Sequence, residues 1–333
     1  MVNKAHTSKK ESLAVKKSRR MAVDLNNPYP PFPREVFFDL NNACNSKCFF
    51  CSNHKVTQRD YLDKELGFKL LKDFYDNGTR EVAFYATGEP FLRDDLADFV
   101  EKARLIGYEY IFISSNGIIA NRNRAKPVLD AGLNSIKFSI NAGNRETYKK
   151  VHGVDAFDKV IENVKWFYNY REESALDYGI YVSMVPSSLT QGQWPTLYEI
   201  LKPYVDEMDY RGCSNQGGNI LENNMTEHID SRNLLGSLKN NQYTGRCPDI
   251  FFRCTVTPQG YLSACVVDYQ NFLVVADLNK VSVKEAWHNA KYLELRNRHI
   301  NADLDGLTCF NCLNNKECCA EPLSEEFARP FDK

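Results

Sequence analysis

Short β-rich apolar runs and segments of helical period alternate from residue 35 to about residue 215, and this alternation limits the possible folds more than any other feature of the chain. The runs are EVFFDL, EVAFYA, YIFIS, SIKFSI, YGIYVSMV and a weaker VDEMDY. Between the first two lies DKELGFKLLKDFYDNG, where Leu66, Leu70 and Phe74 recur every fourth residue and Gly78 stands where a left-handed helix stop is needed. After the fourth run, Phe157, Val160, Ile161, Val164, Phe167 and Tyr168 follow the i, i+3, i+4, i+7 spacing of a core-facing helix. Strands separated by crossover helices predict a parallel sheet, either a full or partial (β/α) barrel or an open doubly wound sheet. Both place ligands at the C-terminal ends of the strands.

The sequence puts its chemistry at those ends. Directly after the first run come Cys44, Cys48 and Cys51, after the second TGEP (Thr87 to Pro90), after the third SNG around Asn116, and near the end of the fourth Ser139 and Asn141. Three cysteines are one short of the usual ligand set of a [4Fe–4S] cluster, which leaves an iron open to another molecule. The rival reading is a zinc ion held by Cys44, Cys48, Cys51 and His54. A non-enzymatic zinc-binding interaction protein is the functional alternative that follows from it.

The pattern C-x3-C-x-aromatic-C after a first strand, with Phe50 as the aromatic, resembles the signature of the radical S-adenosylmethionine (SAM) enzymes. The resemblance implies a partial (β/α)6, TIM-like barrel and an open iron chelated by the methionine moiety of SAM. It also implies reductive cleavage of SAM to a 5′-deoxyadenosyl radical that removes hydrogen from a substrate carbon. TGEP resembles the family's GGEP, which makes Thr87, Gly88 and Glu89 candidates for holding the methionine ammonium, although Thr87 departs from the usual glycine. Ser139 and Asn141 resemble contacts to the SAM carboxylate or ribose, and Asn116 resembles a third-strand contact; simple loop starts are the competing reading for all three.

A second set of cysteines lies beyond residue 240. Cys247, Gly260 and Cys265 make C-x12-G-x4-C, and Cys309 with Cys312 makes C-x2-C. Four thiolates complete a cluster site closed to ligand. The region resembles the SPASM extension, more closely its short Twitch form with one auxiliary [4Fe–4S] cluster, and SVKEAWHNAKYLELR reads as the helix between the pairs, with Ser282 and Glu285 as a capping box. Cys254 is an alternative to Cys247 as the fourth ligand, and Cys318 and Cys319 are left without a role. The expected boundaries are 1–33 for a basic tail and proline-rich linker, 34–220 for the barrel, 221–325 for the cluster domain and 326–333 for a tail.

Two outcomes compete once a substrate radical exists. Oxidation needs an electron acceptor, for which the auxiliary cluster serves, and a base, for which Asp268 is the candidate. Epimerisation needs a hydrogen donor, for which Cys213 and Cys254 are the candidates. Oxidation is the favoured expectation. The substrate expected is a hydroxylated, carbohydrate- or aminocyclitol-like small molecule, with a peptide second, since the short leader leaves no room for a separate peptide-binding domain.

Composition limits the partners. A formal net charge of -1 argues against a dedicated nucleic-acid binder. Residues 1–20 are basic against the single acid Glu11, lack aromatics and read as a solvated tail. No apolar run approaches a membrane span or a secretory signal, so a cytoplasmic location is expected. Eleven cysteines in a reducing compartment then argue for metal or thiol chemistry over disulfides. An electron donor such as flavodoxin or ferredoxin completes the expected partners.

Overall fold

A computed structural model of the protein describes residues 22–210, 215–220, 246–314 and 318–331, together with residues 13, 15, 18, 19 and 316. All six expected strands form: β1 (Glu35–Phe38), β2 (Glu81–Ala83), β3 (Tyr110–Ser115), β4 (Ser135–Ser139), β5 (Gly179–Met184) and β6 (Glu207–Tyr210). They pair in sequence order, each parallel to its neighbours. The connecting helices are α1 (Lys64–Asp76), α2 (Leu96–Ile106), α3 (Arg122–Asp130), α4 (Arg145–His152), α5 (Phe157–Ser174) and α6 (Trp194–Leu201). α1 starts where the Asp63 carboxylate accepts from the backbone N–H of Leu66, and it is released at Gly78, whose φ of 117° suits glycine.

The sheet continues past β1. After a short α7 (Asp249–Phe252), β7 (Arg253–Val256) runs parallel to β1, and β8 (Tyr261–Ser263) and β9 (Val274–Asp277) extend it in antiparallel fashion. The order is β6-β5-β4-β3-β2-β1-β7-β8-β9, so the sheet is an open partial barrel whose C-terminal extension is hydrogen-bonded to the barrel's own first strand. Strand periodicity divides the side chains between two faces. Val36, Phe38, Val82, Ile111 and Ile136 join the helices in the main core, whereas Phe37, Ala83, Tyr110 and Phe112 cluster with Tyr85 and Val266 apart from it.

Three regions differ from expectation. The helix expected around Trp287 is two helices, α8 (Val283–Trp287) and α9 (Ala290–Ile300). Asn289 divides them, because its side chain accepts from the N–H of Tyr292 and donates to Val275 O; only the Ser282 half of the capping box forms, at 3.2 Å from Glu285 N. The basic N-terminal segment is not wholly solvated, since Arg19 pairs with buried Glu81 at 2.7 Å. Residues 326–331 are no free tail either: Arg329 N donates to Gln270 O, its guanidinium pairs with Asp60, and Phe327 packs on Tyr261. A last helix, α10 (Thr308–Asn314), carries Cys309 and Cys312.

Candidate functional site

The loop after β1 is held from several sides. Lys47 N and Phe49 N donate to His152 O and Val151 O at the end of α4, and Ser46 Oγ donates to His152 O. Gln216 accepts from Ser52 N and donates to Phe50 O, while Asn53 donates to Asn42 O and Thr87 O. Cys44, Cys48 and Cys51 are half-buried, and each sulfur has a polar neighbour from elsewhere in the fold. Asn116 Nδ2 lies 3.8 Å from Cys44, His152 Nδ1 3.2 Å from Cys48, and Tyr269 Oη 3.3 Å from Cys51. Burial, followed by the charge of Glu89, pushes the Cys44 thiol up to about 12, and burial pushes Cys48 upward as well. Thiols so placed become thiolates only against a nearby positive centre, which suits an iron cluster.

TGEP forms the opposite wall. A Cβ on Gly88 would stand 2.1 Å from Asn41 O and 2.7 Å from Ala43 O, so the two loops touch through backbone at a point that only glycine fits. Glu89 is 2% exposed. Its carboxylate accepts from Phe91 N at 3.1 Å, Ser115 Oγ at 2.8 Å and Asn116 N at 2.8 Å, and burial lifts it to about 7. Thr87 donates its hydroxyl and its N–H to Asp39, a buried carboxyl lifted by burial to about 7. Asp39 escaped the sequence reading because it closes an apolar run. The signal was Thr87 itself, whose hydroxyl needs an acceptor where the family has glycine.

The remaining candidates are placed as follows. Asn116 donates to Asn45 Oδ1 at 2.8 Å and accepts from Ile118 N, so it braces the cysteine loop. Phe50 packs edge-on against Phe49 and His152. Asn141 accepts from Val185 N at 2.7 Å, and its own N–H donates to His152 Nε2 at 3.2 Å. Ser139 is half-buried at the end of β4. Near the cysteine loop, Asn45 Nδ2 and Tyr148 Oη are buried without a partner among the described residues. Unsatisfied donors of this kind fit a bound cosubstrate carrying a carboxylate.

Cys247, ahead of α7, Cys265, just after β8, and Cys309 and Cys312 on α10 lie near enough for their charges to act on one another. Burial first, then the mutual repulsion of these sulfurs with Asp249 and Asp268, raises Cys247, Cys265 and Cys309. Cys254 is elsewhere: it pairs in register with Val36, is 1% exposed in the main core, and has Arg296, Tyr108 and Tyr292 for neighbours. Neither expected role is supported by that position, because strand parity turns it into the main core beside Val36 and no other cysteine is among the groups acting on it. Cys318 donates to Asn311 Oδ1, and Cys319 is exposed. Cys213 lies outside the described residues. His54 is exposed, with Nδ1 2.5 Å from Cys51 O, and among the described residues no three His, Cys, Asp or Glu side chains converge closely enough to hold a single ion.

A cavity of about 230 Å³ lies where the two cysteine regions meet. Asp39, Thr87, Thr255, Thr257, Gln259, Cys265, Asp268 and Tyr269 are among the residues that line it. Asp268 accepts from Ser263 Oγ, Phe272 N and Leu273 N, and burial raises it to about 6.

An open parallel barrel with a three-thiol loop at its first strand and a four-thiol set in an appended domain defines an iron–sulfur enzyme class in which one cluster keeps a free corner. Residues 39–181 match the Radical SAM superfamily and residues 247–313 the SPASM iron–sulfur cluster-binding domain, together more than half of the chain. The chain belongs to the radical SAM superfamily and carries a C-terminal SPASM domain. Its cofactors are therefore SAM, a [4Fe–4S] cluster and an auxiliary iron–sulfur cluster.

Among curated relatives, a probable GTP 3′,8-cyclase of Saccharolobus solfataricus is 36% identical over 148 residues, 42% of this chain and 43% of that one. One from Sulfurisphaera tokodaii is 30% identical over 127 residues, 38% of this chain and 40% of that one. The match thus spans less than half the length of these relatives. Among solved structures, Streptococcus suis SuiB bound to the precursor peptide SuiA superposes with a TM-score of 0.65 at 14% identity, covering 85% of this chain and 69% of that one. BtrN in complex with AdoMet and 2-DOIA gives 0.57 at 18%, covering 85% and 94%. These likenesses show the fold. Among the described residues no helix is long and apolar enough to cross a membrane.

Proposed function

We propose that this enzyme oxidises a hydroxylated small molecule held in the cavity between the barrel rim and the SPASM domain. One observation carries the reading: the same cavity is lined by Thr87 of TGEP and by Cys265, so a substrate there lies between the loop expected to hold SAM and one of the expected auxiliary ligands. Its walls offer hydroxyl, amide and carboxyl groups from Thr87, Thr255, Thr257, Gln259, Asp39 and Asp268, the complement of a molecule rich in hydroxyls.

In this reading Cys44, Cys48 and Cys51 hold the open cluster, and Cys247, Cys265, Cys309 and Cys312 hold the auxiliary one. When bound, the open cluster and SAM supply a carbon radical that takes hydrogen from the substrate. The residues position and exclude. Glu89, a buried carboxylate with no cation among its hydrogen-bond partners in the described residues, receives the methionine ammonium, and Asn116 locks Glu89 to the cysteine loop. Asp268, poised near neutrality, accepts the substrate proton, and the remaining electron would pass to the auxiliary cluster that Cys265 and its partners would hold. A donor of the flavodoxin or ferredoxin kind provides the reducing electron.

A nucleotide is the second reading, favoured by the sequence likeness to probable GTP 3′,8-cyclases. It stands second because the cavity's cations are engaged, Lys55 with Asn219 O and Arg329 with Asp60. The test is anaerobic turnover with dithionite and SAM, following 5′-deoxyadenosine and the substrate mass. Loss of two hydrogens from a cyclitol or sugar supports the proposal. A product formed from GTP or from a peptide, with cyclitols and sugars untouched, refutes it.

A further inference from the structure

The ring of His152 closes α4 directly beneath the cysteine loop and is 1% exposed. Its two nitrogens face different chemistry. Nε2 lies 3.2 Å from the backbone nitrogen of Asn141, and a peptide N–H can only donate, so Nε2 must present its lone pair. An imidazolium, with hydrogens on both nitrogens, does not fit this arrangement. The single ring proton is therefore on Nδ1, which lies 3.2 Å from Cys48 Sγ.

The competing neighbour of that sulfur is Ser46 Oγ, also at 3.2 Å. Its one hydrogen is given to His152 O at 2.9 Å, so it has none left for sulfur. A thiolate at Cys48 has no hydrogen of its own to give. His152 is then the side chain that donates to it, and the ring is held to that task by stacking on Tyr148 at a centroid distance of 4.1 Å.

We propose that His152 is a positioning residue that donates Nδ1–H to Cys48 Sγ and thereby raises the reduction potential of the SAM-binding cluster. The inference rests on Cys48 being a ligand of that cluster. A hydrogen bond to a cluster sulfur stabilises the extra negative charge of the reduced state, and outer-shell donors of this kind tune iron–sulfur potentials. Delivery of the first electron is the step eased by it. The sequence hides the pair, whose members lie 104 residues apart.

The test compares wild type with His152→Phe, which keeps a ring against Tyr148 and removes the N–H. In a dye-mediated redox titration of the reconstituted protein, the EPR signal that changes on adding SAM identifies the open cluster. That signal is expected to appear at a more negative potential in the variant, with iron content and the auxiliary signal unchanged. An unshifted potential in a fully loaded variant overturns the proposal and leaves the cysteine assignment standing. Should the variant fail to load, pulsed EPR of wild type labelled with ¹⁵N-histidine decides: coupling of a histidine nitrogen to the SAM-sensitive signal supports the inference, and its absence overturns it. A wild type with no SAM-sensitive cluster removes the assignment of Cys48 along with the inference.

Discussion

The hydroxyl of Tyr269 stands 3.3 Å from the sulfur of Cys51. Tyr269 lies four residues beyond Cys265, so a single side chain ties the auxiliary cysteine loop to the loop that follows β1. Gln216 and Asn53 brace that loop from other directions, but only Tyr269 reaches it from the SPASM region through a cysteine sulfur among the described contacts. The two cysteine regions are thus mechanically joined as well as neighbours.

Removing that hydroxyl tests the joint. Tyr269→Phe keeps the ring and loses one hydrogen bond, which costs about 1 kcal/mol. Urea unfolding of the apoprotein is expected to show that loss with an unchanged slope. Amide exchange is expected to quicken around Cys51 and Asp268 together, and quickening in only one of the loops would count against the joint.

Gly88→Ala is expected to be far more damaging. The new Cβ meets the carbonyl oxygens of Asn41 and Ala43, which are backbone and cannot rotate away. Overpacking of this kind costs about 1–3 kcal/mol, and contact with backbone puts it at the upper end. Because the loop displaced is the one carrying Cys44, iron content after anaerobic reconstitution should fall as well. A variant with wild-type stability and iron would mean that the TGEP and cysteine loops do not meet as described.

Much of this was readable in the sequence, and what was not has a common cause. The strands announce themselves by β-rich runs at regular intervals, and the cysteines by local spacing. Asp39 and Thr87 are 48 residues apart, and His152 and Cys48 104, so no local pattern links either pair. Cys254 misled for the opposite reason: it lies between ligand candidates in sequence, yet strand parity turns it into the core beside Val36. The helix break at Asn289 depends on Val275 O, which the helix sequence does not contain.

Asp39 should make stability depend on pH in a particular direction. Burial raises its folded pKa to about 7 from an ordinary value of 3.8, so the native state holds the proton more tightly than the unfolded chain. Stability from this group is therefore full at low pH and is lost as pH rises through about 7. Between pH 5 and pH 8 the loss amounts to roughly 2–3 kcal/mol at about 1.4 kcal/mol per unit. Asp39→Asn still accepts from Thr87 and does not titrate. The difference in urea stability between wild type and variant should shrink or reverse over that range, and a constant difference would show that Asp39 is ionised in the fold throughout.

Iron counting separates ligand cysteines from the core cysteine. With two [4Fe–4S] clusters the reconstituted chain should hold about eight irons. Replacing Cys44, Cys48 and Cys51 together by serine should leave about four irons and abolish the SAM-sensitive EPR signal, since only the auxiliary cluster remains. The auxiliary quadruple variant at Cys247, Cys265, Cys309 and Cys312 should lose the other half and keep that signal. Cys254→Ala should keep all the iron and instead lose about 1 kcal/mol of stability, because the thiol packs as a small apolar group between the sheet and its helices. If Cys254→Ala halves the iron while Cys247→Ala does not, the placement of β7 beside β1 is wrong in register by one residue, since a one-residue slip is what would turn Cys254 to the other face.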